Sequence, residues 1–386
     1  MQTLSLRDLI PETVDAYGAL DFDHRRQGLG PRRLPAWTRP QLPPLMDVMV
    51  RMPSGVRLRF KTDSARVGIS FLATNMVTPP RARRPVTFNL ETGGRLLPGF
   101  STLGNTIVLN PEIRGDFELR RGEADTVWFE DLAGGEKSCE IWLPHNAFIE
   151  LRGLVIDDGA FIRPADAESR PRWIHYGSSI SHCMEAEQPG EVWPAVAARR
   201  AGVALQSLGF GGQCHLDQFV ARTIRDAHAD IVSIKTGINV VNMDSMRERV
   251  FAPALHGFLD TVREGKPDVP IVLVSPIFCP SAEEHPGPTV PDEHGKFVTI
   301  KGFDEIREGC MSLTRVREII TEVVAKRQEA GDGQLHYVDG LELFGEADAG
   351  DLPDDLHPNP AGYVRMGERF TERILGSLAS GVERGV

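Results

Sequence analysis

Four stretches of this 386-residue chain carry the side chains that acyl transfer requires. In chain order they are Gly177-Ser178-Ser179-Ile180, Gly209-Phe210-Gly211-Gly212, Thr236-Gly237-Ile238-Asn239 and Asp354-Asp355-Leu356-His357-Pro358. A serine hydroxyl becomes a nucleophile when a base takes its proton, and neutral imidazole is the usual base. The imidazole must be held in one tautomer, which a carboxylate does by accepting its other N–H. Charge on the tetrahedral oxygen calls for preorganised donors, available from backbone N–H groups and an amide side chain. Asp354 and His357 are three positions apart, so a single turn brings carboxylate and imidazole together. Asp355 is a rival orienting carboxylate, and the spacing favours Asp354. Pro358 restricts the backbone of His357, and Asn359-Pro360 reads as the N-cap and first residue of a closing helix.

These residues can act together only if the fold carries them to one edge. Short apolar runs at 173–176, 203–208, 231–234, 271–274 and 335–338 alternate with helical patterns at 192–200, 217–227, 246–262, 306–325 and 360–375. Near-continuous apolar strands joined by helices predict a parallel five-stranded sheet covered on both faces. Each of the four stretches then falls beyond the carboxyl end of a strand, where such sheets bind ligands. The preceding sequence follows another pattern. Short strand signals at 56–61, 67–72, 86–90, 106–109, 117–120, 126–129, 139–142 and 147–155 lie between Gly, Pro, Asn and Asp clusters. They predict an antiparallel β-sandwich or jelly roll over about residues 46–160. Val56–Lys61 alternates apolar with charged residues, as a strand with one wet face does. The first 45 residues, with five prolines between 31 and 44, read as irregular. The expected domains are 1–163, an irregular arm plus sandwich, and 170–386, carrying the chemistry.

Taken together, the four blocks resemble the SGNH, or GDSL-type, hydrolase family over about residues 170–378. The resemblance implies a flavodoxin-like three-layer α/β domain. It makes Ser179 the nucleophile, His357 the base and Asp354 its partner, with Ser179, Gly212 and Asn239 forming the oxyanion hole. Two positions depart from the family pattern: Ser178 stands where an Asp usually precedes the nucleophile, and Val240 where an Asp often follows the asparagine.

Charge and composition narrow the partners. The net charge of −11 disfavours nucleic acid, and the acidity lies in one part. Residues 1–163 carry 21 basic and 20 acidic side chains against 22 and 34 in the remainder. Five scattered cysteines make no disulfide framework. The N-terminus has no signal-peptide pattern and no apolar run reaches membrane-spanning length, so a cytoplasmic location without membrane association is expected. His182-Cys183 and Cys214-His215 lack the spacing of zinc sites, and Gly209–Gly212 lacks the third glycine of a dinucleotide fingerprint, so neither metal nor cofactor is expected. Trp37, Trp128 and Trp142 read as core rather than sugar platforms, and the proline-rich connection 279–303 as a wall of the substrate pocket.

The expected activity is acyl transfer through an acyl-serine, with an ester or acyl-CoA donor and a water or small-molecule hydroxyl acceptor. A β-sandwich before an SGNH domain is similar to carbohydrate O-acetyl esterases and to GDSL-type acyltransferases of natural-product pathways. The alternatives are therefore a carbohydrate O-acetyl esterase and, in another class, a non-catalytic binding or scaffold protein.

Overall fold

The structure is a computed structural model describing residues 1–113, 115–300 and 307–383. Its contacts divide the chain into two units: Met1–Glu168 with Glu187–Gly190, and Ser169–Ala186 with Glu191–Val386.

Among the described residues, the first unit holds sheets of eight and six strands. Alternate residues of both sheets turn inward, and Phe71 of one meets Phe88 of the other at 4.7 Å between ring centroids. Three features differ from the sequence expectation. The first 45 residues are not irregular: Gln2–Ser5, Asp15–Tyr17, Asp21–His24 and Leu29–Arg32 are strands added to the two sheets. Each is three or four residues long, too short to show a period. The sandwich is also not wholly antiparallel, because Val67–Val77 pairs parallel with Asn105–Leu109.

The third difference lies on the strand Arg57–Thr62, whose two arginines are dry while Lys61 stays partly exposed. Arg57 is 1% exposed, its guanidinium 4.7 Å from the Tyr17 ring centroid and 4.6 Å from that of Trp142. Its Nε lies 2.9 Å from Glu140 Oε2. Arg59 pairs with Asp15 at 3.0 Å and Glu168 at 3.4 Å. The alternation is real, but tertiary partners replace water. Of the three tryptophans, Trp142 is core, while Trp37 and Trp128 are about 40% exposed (42% and 39%).

The second unit is built on a parallel sheet ordered second, first, third, fourth, fifth: Ala204–Gly209, Arg172–Gly177, Ile231–Lys235, Ile271–Val274 and Leu335–Val338. This is the flavodoxin-like order, with a switch point beside the first strand. Helices pack the sheet with aromatic contacts: Trp173 stacks on Phe370 at 5.5 Å and Tyr176 on Phe258 at 5.4 Å. Residue 306, where the fourth of these helices is expected to begin, lies outside the described residues; the helix runs over Leu313–Glu329, started by Ser312, whose side chain accepts the Arg315 N–H. Asn359 caps Pro360–Phe370 by accepting the Gly362 N–H at 2.8 Å. No helix of the described residues is long and apolar enough to cross a membrane.

Replacing Arg57 by Met should take from Glu140 its nearer guanidinium, leaving Arg59 at 3.6 Å, and lower the unfolding free energy by about 2 kcal/mol, read by chemical denaturation. Arg57→Met with Glu140→Leu should regain part of the loss, since it removes the carboxylate left short of a partner while Arg59 keeps Asp15 and Glu168.

Candidate active site

The first strand, Arg172–Gly177, delivers Ser179 into the short helix Ser179–His182. Ser178 caps that helix, its Oγ accepting the Ile180 N–H at 3.3 Å, so this departure from the family block serves the turn that presents Ser179. The helix lies close on the sheet edge because Gly209 has no side chain; a Cβ there would sit 2.6 Å from the Ser181 carbonyl carbon. Beneath it, His175 is fully buried, its ring nitrogens each 2.7 Å from Ser181 Oγ and Ser233 Oγ. Burial, with the nearby Lys235 charge, lowers the His175 pKa to about 3, so this imidazole stays neutral and ties the Ser179 turn to the sheet.

His357 enters from the loop after the fifth strand. Its Nε2 lies 2.9 Å from Ser179 Oγ and its Nδ1 lies 2.8 Å from Asp354 Oδ2. The other carboxylate oxygen of Asp354 accepts the backbone N–H groups of Leu356 at 3.1 Å and His357 at 2.7 Å. Burial pushes the Asp354 pKa up, but the hydrogen bond and charge of His357, with those two amides, hold it below the usual carboxylate range. An ionised carboxylate can only accept, so Nδ1 carries the proton and the Nε2 lone pair faces Ser179 Oγ. Asp355 does not reach the imidazole. It adopts a left-handed backbone (φ 61°) and pairs with Lys296 Nζ at 2.9 Å.

Gly212 and Asn239 come from the loops after the second and third strands. Asn239 is 5% exposed, and its Oδ1 accepts the Cys214 N–H at 3.0 Å, which leaves the Nδ2 hydrogens as the donors of that amide. This bond supports the asparagine loop where the family's usual Asp is replaced by buried Val240. Gly212 takes the left-handed conformation (φ 65°), and its carbonyl oxygen is engaged by Gln213 Nε2 at 2.5 Å and His215 Nε2 at 3.1 Å. His215 Nδ1 in turn meets Ser245 Oγ at 2.8 Å. Cys214 and His215 thus hold the two loops together. Cys183 and Cys214 are fully buried, and among the described residues no group of three or more His, Cys, Asp or Glu side chains could hold a metal ion.

Within the connection 279–303, whose residues 301–303 lie outside the described ones, Thr289–Pro291 pairs with Phe297–Thr299 as a hairpin. Together with Arg247 and Arg307, its His285 and Val298 line a cavity of about 500 Å³. The roles of His215 toward Ser245, and of Lys296 and Phe297 beside the site, carry no local sequence signal, because those partners are distant in the chain.

Residues 175–365 match the GDSL-like lipase/acylhydrolase family. The fold is similar to a salicylyl-acyltransferase, SsfX3, from a tetracycline biosynthetic pathway, with a TM-score of 0.80, 27% identity, and coverage of 99% of this chain and 98% of that one. A protein from Bacteroides ovatus classed with the GDSL-like lipases gives 0.70 at 16% identity over 98% of both chains. A family two carbohydrate esterase from Clostridium thermocellum gives 0.56 at 16% identity, covering 84% of this chain and 93% of that one. No curated protein matches by sequence.

Asp354→Asn should favour the wrong imidazole tautomer and slow fluorophosphonate labelling of Ser179 by about 10³–10⁴-fold. Asp355→Asn, whose side chain does not reach His357, should cost no more than about tenfold in the same assay, the scale of a lost positioning contact.

Proposed function

Since residues 175–365 form a GDSL-like lipase/acylhydrolase domain and the protein is an enzyme of the esterase and acyltransferase class, we propose that it transfers an acyl group through Ser179 to a small-molecule hydroxyl. The observation that carries this reading is the continuous hydrogen-bonded line from Ser179 Oγ through the His357 ring to Asp354. Ser179 Oγ attacks the carbonyl carbon of an ester or thioester as its proton passes to His357 Nε2. Asp354 stabilises the imidazolium through Nδ1–H. The Ser179 and Gly212 N–H groups and Asn239 Nδ2 hold the developing oxyanion. Collapse of the tetrahedral intermediate expels the alkoxide or thiolate, which takes the proton from Nε2, and leaves the acyl-serine. His357 then removes the proton of the incoming hydroxyl, whose oxygen attacks the same carbon; collapse of this second intermediate breaks the bond to Ser179 Oγ, which takes the proton from Nε2 and is free again.

A hydroxyl acceptor makes the enzyme an acyltransferase, and water makes it an esterase. Similarity to the salicylyl-acyltransferase along nearly the full length of both chains, the N-terminal sandwich included, supports the first. The carbohydrate esterases share the fold at 16% identity or less, which speaks for the architecture rather than for a sugar substrate.

Incubation with acyl-CoA thioesters and a panel of alcohols should yield ester product, with a mass increment on Ser179 trapped in between. Hydrolysis alone across a broad panel would count against transfer. Absence of any adduct on Ser179, from thioester or fluorophosphonate, would favour a binding protein instead. Ser179→Ala should abolish the adduct, and Asn239→Ala should lower kcat by about 10²–10³-fold through loss of an oxyanion donor.

A further inference from the structure

The hairpin Thr289–Pro291/Phe297–Thr299 has a turn fixed from within. Asp292 Oδ1 accepts the N–H groups of His294 and Lys296, each at 2.9 Å, and the Asp292 N–H donates to the Lys296 carbonyl at 2.8 Å. Three contacts run from this turn to the loop that carries His357. The Phe297 N–H donates to the Asp354 carbonyl at 2.9 Å. Lys296 Nζ pairs with Asp355 Oδ1 at 2.9 Å. The Phe297 ring meets the His357 imidazole with centroids 5.7 Å apart and planes at 74°.

The base of the hairpin touches the opposite side of the site. Gly287 lies so close to the helix Ile238–Asn242, which carries Asn239, that a Cβ would come 1.8 Å from the Val241 carbonyl oxygen. The Ile300 N–H donates to the Pro288 carbonyl at 2.9 Å, closing that base. One inserted element therefore spans from the oxyanion-hole helix to the histidine loop.

The contact with the ring has a mechanical reason. The bond to Asp354 holds one nitrogen, but the imidazole can still pivot about the line from Nδ1 to the carboxylate. A second contact on the ring is needed to keep Nε2 aimed at Ser179 Oγ. Removing the phenyl group would also leave a space from which water can compete for the Nε2 lone pair. We propose that the hairpin is a strap that positions His357, with Phe297 as the positioning residue for the proton transfer. This rests on the reading of His357 as the base.

The test measures the rate of Ser179 labelling by a fluorophosphonate and the hydrolysis of p-nitrophenyl acetate, using the full chain. Phe297→Ala should slow labelling and lower kcat by about 10–100-fold, the cost of misplacing a catalytic group by a fraction of an ångström to an ångström. KM and the thermal midpoint should stay close to wild type, and Phe297→Tyr, which keeps the ring, should recover most of the rate. In a His357→Ala background, Phe297→Ala should cause no further loss, because there is no imidazole left to position. Wild-type labelling by Phe297→Ala, or an equal fold loss with and without His357, would overturn the proposal. Undiminished labelling by His357→Ala alone would remove the base reading beneath it, and that result is distinguishable from either of the others.

Discussion

Between His357 Nδ1 and Asp354 Oδ2, 2.8 Å apart, the position of one proton decides which ring nitrogen is basic. The carboxylate holds that proton on Nδ1 because it stays ionised despite being mostly buried. Two backbone N–H groups, from Leu356 and from His357 itself, solvate its other oxygen. The loop thus supplies the acceptor, the donors that stabilise it and the imidazole it orients, all within four consecutive residues. The Nε2 lone pair is left facing Ser179 Oγ, 178 positions earlier in the chain.

So short a unit cannot aim itself. Asn359 ties its end to the helix Pro360–Phe370 by capping that helix and by bonding Asp351 at 2.8 Å. On the other partner's side, buried neutral His175 and the close approach over Gly209 seat the Ser179 turn on the sheet. The parallel order places the first strand between the second and third, so the serine, glycine and asparagine loops emerge side by side. Cys214, through its backbone N–H to Asn239, and His215, through its side chain to Ser245, then join the last two.

The first unit follows a different logic, in which charge is buried with its partner rather than left wet. Alternation along Arg57–Thr62 marks a strand correctly, yet says nothing about what covers the polar face. Tyr17, Glu140, Trp142 and Glu168 cover it, from three separate places in the chain. The strands before residue 45 were hidden for a related reason. Runs of three or four residues have no readable period, and they become strands by pairing with Arg57–Thr62, Ala147–Ile156 or one another.

What the sequence by itself determined is whatever depends on neighbours in the chain. The apolar runs set the five parallel strands to within a residue or two, and the Asn-Pro pair marked the closing helix. The three-residue spacing of Asp354 and His357 made their contact legible. The choice of Asp354 over Asp355 followed from that spacing, and tertiary pairing of Asp355 with Lys296 gives it a separate task. What only the tertiary structure decided is whatever depends on groups brought from afar: the His215 contact with Ser245, the buried guanidinium of Arg57 and the ring of Phe297 against His357. Local spacing dictates which side chains share a turn or a strand face. Desolvation and partner geometry depend on the whole packed chain, and these decide whether a charge is dry, a proton is held or an imidazole is aimed.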